Sequence, residues 1–138
     1  SQVQRSVSMG AKIIFGGNKK SKCFYEPTLL INISMDMPVF KEEVFGPVFS
    51  VFKFNDNDDI ISLANQTDYG LGASIWTKNL SKGLEISSEI LSGCVFINGI
   101  TRSDPRLPFG GVKKSGYGRE LSSYGLLEFV NIKTIVVD

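Results

Sequence analysis

Between residues 47 and 98 this sequence repeats one alternation, an apolar run followed by an amphipathic one, and that alternation restricts the fold more than any other feature. Pro47-Val48-Phe49-Ser50-Val51-Phe52-Lys53-Phe54 is apolar at nearly every position, as a strand buried on both faces is. Its neighbours are therefore expected to be helices. The run Asn55-Asp56-Asn57-Asp58-Asp59 offers N-caps for a short helix with Ile60, Leu63 and Ala64 on its apolar face, ending near Tyr69-Gly70. The order then repeats: a strand over 71–77, a helix over 79–91 with Leu80, Leu84, Ile86, Ile90 and Leu91 mostly inward, and a strand over 93–98. This is the pattern of right-handed βαβ units, so the expected fold class is α/β with a mostly parallel sheet.

The flanks are consistent with that class. Residues 3–9 read as the last turns of a helix with Gly10 as its stop, a beginning that suggests a section of a longer polypeptide. Residues 11–15 and 28–33 make a hairpin across Gly16-Gly17 and a polar turn. A glycine-rich loop over 99–118 leads into a helix over 119–130, and a last strand is expected over 133–137.

Charge narrows the classes of partner. Fifteen Lys and Arg stand against fourteen Asp and Glu, scattered along the chain, which argues against nucleic acid and for a small molecule or a protein. No apolar run approaches the ~20 residues of a membrane helix, and no signal peptide is evident, so a cytoplasmic protein is expected. Histidine is absent and the two cysteines, Cys23 and Cys94, form no CxxC. A zinc site and a histidine general base are thereby disfavoured, and no metal is expected.

Three segments could carry chemistry. Glu42-Glu43 ahead of a strand is ordinarily a solvated entrance; alternatively, a carboxylate beside the Phe45 ring could accept hydrogen bonds from a ribose diol while the ring covers an apolar ligand face. The stretch from Phe109 to Glu120 invites a phosphate-cradle reading, but Lys113 stands where a P-loop needs glycine before Lys114-Ser115, and Leu121 takes the third glycine's place of a dinucleotide fingerprint. A tight turn ahead of a helix is the simpler account. Cys94, within an apolar strand, reads as a small hydrophobe, and Cys23 lies in a lysine-rich turn with no base that can be named beside it.

Taken in order, Gly10-Ala11-Lys12, Gly16-Gly17, Glu26-Pro27-Thr28, Glu42-Glu43-Val44-Phe45-Gly46-Pro47-Val48, Asn65-Gln66-Thr67-Asp68-Tyr69-Gly70-Leu71 and Val95-Phe96-Ile97-Asn98 resemble signposts of the aldehyde dehydrogenase superfamily. So does Pro108-Phe109-Gly110-Gly111 with Lys113, Ser115-Gly116 and Gly118-Arg119-Glu120. The resemblance implies the C-terminal portion of that family's catalytic domain over 1–130 and an oligomerisation strand over 131–138, which would make a homo-oligomer. It implies NAD or NADP as cofactor and an aldehyde as substrate. The family's cysteine nucleophile and its water-activating glutamate both lie upstream of the first motif, and neither Cys23 nor Cys94 matches. No catalytic residue is therefore expected in this chain, which should be inactive by itself.

By position, Glu43 resembles the glutamate that bonds the nicotinamide ribose, and Phe45 the phenylalanine that packs on that end of the cofactor. Phe109 resembles an aromatic near the substrate pocket. The loop carrying Ile100, Thr101, Arg102, Ser103 and Arg106 is similar to the segment that sets substrate choice. Its sequence resembles the succinate-semialdehyde dehydrogenase branch, in which Arg102 and Arg106 would pair with a distal carboxylate. The alternative is a free-standing non-catalytic domain that binds another dehydrogenase subunit through its edge strand.

Overall fold

A computed structural model describes residues 1–55 and 58–138 of the chain. They form two compact units, Ser1–Asp58 and Asp59–Asp138.

The first unit runs α1 (Gln2–Ser8), β1 (Lys12–Phe15), β2 (Thr28–Ile31), α2 (Pro38–Lys41) and β3 (Val48–Ser50). The expected hairpin is present: β1 pairs antiparallel with β2, and β2 pairs parallel with β3, giving the order β1-β2-β3. Gly10, at φ 113°, ends α1 where the sequence placed a stop. Leu30 on the central strand is fully buried, and Val3, Ala11, Met37 and Val39 close around it. Removing such a side chain from a core costs about 2–5 kcal/mol. The buried Ser6 hydroxyl accepts a hydrogen bond from the Val39 amide at 3.1 Å, joining α1 to α2 without leaving a polar atom unpaired.

One expectation is corrected here. The apolar run over 47–54 is a strand only from Val48 to Ser50, and Phe49, Val51 and Phe54 are exposed. Among the described residues of this unit the strand has a ladder partner in β2 alone, and a run of apolar residues does not specify what covers its second face.

The second unit runs α3 (Ile60–Asn65), β4 (Tyr69–Gly70), β5 (Gly72–Ile75), α4 (Leu80–Glu89), β6 (Cys94–Ile97), β7 (Val112–Lys113) and α5 (Ser122–Leu127). The β5-α4-β6 segment is the expected strand–helix–strand unit, with parallel pairing from Gly72 opposite Cys94 to Ile75 opposite Ile97. Helices α3 and α4 start on side-chain caps, whereas α5 has none. The Asp59 carboxylate accepts from the Ser62 amide at 2.9 Å, and the Asn79 side chain from Lys82 at 3.0 Å. Asp56 and Asn57, also read as cap candidates, lie outside the described residues. An unforeseen antiparallel pair, β4 with β7, ties Tyr69-Gly70 to the glycine-rich segment.

Burial in this unit departs from the sequence pattern. Leu80, Leu84 and Leu91 are exposed, while Ile86 and Ile90 are half-buried. Among its described residues only Gly70, Gly83, Gly111 and Gly125 are buried. Two-stranded ladders enclose little volume, so close backbone approach takes the place of an apolar core. The last helix also starts later than expected, at Ser122, because the backbone of Glu120 is committed to Phe109 by two hydrogen bonds of 2.8 and 2.9 Å. Residues 131–138 are exposed and carry no strand. A strand exists only as one side of a ladder, and this chain offers the segment no described partner. No helix among the described residues is long and apolar enough to cross a membrane.

Candidate cofactor and substrate sites

In the first unit the two carboxylates of Glu42-Glu43 do different work. Helix α2 ends at Glu42 in extended conformation, which turns that side chain back towards α1. Gln2 Nε2 donates to it at 2.9 Å and Arg5 Nη2 to both its oxygens at 2.9 Å. Those bonds, the Gln2 bond first, hold its carboxyl below the usual glutamate range. Gln2 Nε2 also donates to the Glu43 carbonyl at 3.1 Å, fixing the backbone. The Glu43 carboxylate itself is exposed and has no hydrogen-bond partner among the described residues.

Two residues on, Phe45 stands 95% exposed. Its presentation is local: Gly46 N–H bonds the Val44 carbonyl and Val48 N–H the Gly46 carbonyl, both at 2.8 Å, so the backbone makes two tight turns in succession. The ring borders a cleft of about 610 Å³ whose walls include Gln2, Gly17, Cys23, Tyr25 and Pro47. Glu43 and Phe45 are two residues apart in the chain, and of the two only Phe45 borders this cleft; a carboxylate acceptor and an exposed aromatic ring are the groups that a ligand with a diol joined to a flat ring would use.

In the second unit the loop over 99–109 is pinned at several points. Thr101 is seated against Gly72: a Cβ on that glycine would lie 2.5 Å from Thr101 Cγ2. The turn from Asp104 to Leu107 closes by a 2.9 Å backbone bond, its Pro105 carbonyl accepts from Ser122 N–H at 3.1 Å, and Phe109 bonds Glu120 in both directions. Arg106 is engaged with Asp104 through Nε (2.9 Å) and Nη2 (2.7 Å). Arg102 and Ser103, by contrast, are exposed and make no hydrogen bond among the described residues. Ile100 is exposed, and Phe109 is half-buried. Glu43 and Phe45 thus belong to the first unit, and every substrate-loop residue named from the sequence to the second.

A family profile described as Aldehyde dehydrogenase family matches residues 1–135. This chain belongs to the aldehyde dehydrogenase family. It is 48% identical over 136 residues to "Succinate-semialdehyde dehydrogenase [NADP(+)] 1" of Mycobacterium tuberculosis, covering 97% of this chain and 30% of the relative. The "Probable succinate-semialdehyde dehydrogenase [NADP(+)]" of Synechocystis is 45% identical, with the same coverage. Among solved structures, succinic semialdehyde dehydrogenase from Streptococcus pyogenes in complex with NADP+ superposes with a TM-score of 0.91 at 37% identity, over 99% of this chain and 30% of that one. The chain therefore spans about 30% of the length of the relatives it matches.

Much of the family signature in this aldehyde dehydrogenase chain is structural, which reading the motifs as ligand contacts would miss. Asn65 donates to the Glu89 carbonyl and accepts from Leu91 N–H, clamping the end of α4. Lys113 Nζ donates to the Asn65 and Thr67 carbonyls at 2.8 and 2.9 Å, placing a cation at the C-terminal end of α3. Asn98, in left-handed backbone at φ 55°, exchanges two hydrogen bonds with the backbone of Thr77. Arg119 Nη1 donates to the Gly111 and Gly118 carbonyls. At Gly93 a Cβ would lie 1.6 Å from the Gly110 carbonyl oxygen, a contact only glycine permits. Together these contacts hold the backbone on which the loop over 99–109 is presented. Of the cysteines, Cys94 donates its thiol to the Leu71 carbonyl at 3.3 Å, and burial pushes its pKa up, which disfavours the thiolate a nucleophile needs. Cys23 is exposed.

Proposed function

We propose that this chain is a section of a nicotinamide-dependent dehydrogenase that oxidises succinate semialdehyde to the dicarboxylic acid. The observation that carries the reading, in a chain of this family, is the bare Phe45 ring two residues from an uncommitted Glu43 carboxylate. Overall, one aldehyde, one water and one oxidised dinucleotide give a carboxylate, the reduced dinucleotide and two protons. When bound, the nicotinamide takes hydride from the aldehyde carbon. The names of the relatives favour NADP, with NAD the alternative. Glu43 accepts hydrogen bonds from the ribose hydroxyls, and Phe45 excludes water from the ring they orient.

On the substrate side, Arg102 supplies a free guanidinium and Ser103 a hydroxyl for the distal carboxylate, with Ile100, Thr101 and Phe109 lining the approach. Neither cysteine is assigned as nucleophile, so the section by itself is inactive. Residues 131–138, with Ile135, Val136 and Val137 exposed, form a strand when a second copy completes the ladder. A cytoplasmic setting suits two unpaired thiols.

The test uses the full-length dehydrogenase that contains this segment, with the cofactor varied at saturating semialdehyde. Glu43→Gln removes a charge-assisted acceptor worth about 1.5–3 kcal/mol, so kcat/KM for the cofactor is expected to fall roughly ten- to hundredfold. An unaltered cofactor profile would rule out the ribose assignment.

A further inference from the structure

The loop carries two arginines and one aspartate, and the structure treats the arginines differently. Asp104 Oδ1 accepts from the Arg106 amide at 3.0 Å and from Arg106 Nε at 2.9 Å, while Oδ2 accepts from Nη2 at 2.7 Å. Pro105 between them fixes one backbone torsion, and its carbonyl is held by Ser122. This is a bidentate pair on a pinned turn: the Arg106 side chain is 86% exposed and the Asp104 side chain 26%, and the fork geometry with the held backbone distinguishes it from a single-contact surface pair. The Asp104 carboxyl is held far below the usual carboxylate range, first by the Arg106 side-chain bonds, and Arg102 adds a smaller electrostatic contribution. A substrate carboxylate seeking the Nε–Nη2 edge of Arg106 would have to displace an equivalent carboxylate already in place there. Arg102 has no such partner among the described residues.

We propose that Asp104 is a positioning residue that withdraws Arg106 from the substrate and leaves Arg102 to meet the distal carboxylate in a single orientation. The inference rests on the substrate reading above. With Asp104 uncharged, Arg106 becomes a second landing point, and the semialdehyde binds there with its aldehyde away from the reacting centre. Such non-productive binding lowers kcat and KM together and leaves kcat/KM unchanged, a signature that loss of structure does not produce.

The experiment compares succinate semialdehyde with butanal, the uncharged aldehyde of equal length, in the full-length dehydrogenase. Asp104→Asn keeps one oxygen, for the Arg106 amide and Nε, and replaces the charge and the acceptor used by Nη2 with an NH2 donor. It is expected to lower kcat and KM for the semialdehyde by the same factor, about threefold or more, while both constants for butanal stay within about twofold. In D104N/R106A both semialdehyde constants are expected to recover. Three results would overturn the proposal: an equal loss of kcat/KM on both aldehydes with a lowered Tm, no response to D104N, or a rise in semialdehyde KM in R106A as large as that in R102A. If the parent enzyme shows no preference for the semialdehyde over butanal, the substrate reading fails and this inference with it; a clear preference accompanied by any of those three results removes the inference alone.

Discussion

A few residues of the signature have no freedom to change, for reasons of distance. Alanine at Gly93 would drive its Cβ into the Gly110 carbonyl. Backbone cannot give way as a side-chain tip can, so Gly93→Ala is expected to cost at least about 3 kcal/mol, read as a drop in denaturation midpoint at unchanged slope. Asn98 joins two demands, a left-handed backbone and two bonds to Thr77. Asn98→Gly satisfies the first and loses the second; Asn98→Ala loses both. Glycine is therefore expected to cost about 1 kcal/mol and alanine about 2 kcal/mol in urea melts. Equal losses would mean that the backbone conformation is of no consequence.

The short helices depend on their ends. Helix α3 has six residues, too few to persist on propensity; the Asp59 cap holds one end and Lys113 the other. Asp59→Ala is expected to remove about 1 kcal/mol of stability, visible as faster amide exchange across Ile60–Asn65 than across Leu80–Glu89. Uniform exchange in both helices would show that the cap is dispensable. The strand–helix–strand order was legible because apolar periodicity is a local property, and α4 between parallel β5 and β6 follows it. The β4–β7 pair was not legible: Tyr69 and Lys113 meet across a long stretch of chain, and two-residue strands leave no periodic trace. The start of α5 was misplaced for a related reason, since Glu120 bonds Phe109 instead of entering the helix.

For the chain as a whole, ionisation and exposed apolar surface set the conditions of stability. Glu42 is clasped by Gln2 and Arg5, and its carboxyl titrates below the ordinary glutamate range. A depressed carboxylate pKa stabilises the fold above that range, and the contribution fades as pH falls through the lowered value. Thermal unfolding of the parent chain and Glu42→Gln is therefore expected to differ most near pH 7 and to converge towards pH 3. A pH-independent gap would assign the loss to something other than the charge. Ile132, Ile135, Val136 and Val137 are exposed on a segment that carries no strand in this chain; with the proposed pairing to a second copy, deleting residues 131–138 from the full-length dehydrogenase is expected to lower its oligomeric order by light scattering.

What the sequence determined by itself is the family, the order of strands and helices, and the places where chemistry gathers, because motifs and periodicity are written in consecutive residues. Tertiary structure alone decided which member of each pair is free to act. Glu42 is spent on Gln2 and Arg5 while Glu43 is not, and Arg106 is spent on Asp104 while Arg102 is not. Burial was decided there too: Leu30 and Leu84 are the same residue type, yet one is sealed and the other open. The physical reason is common to all three. Chain neighbours set local conformation, but the partner that neutralises a charge or covers an apolar face is chosen by three-dimensional geometry.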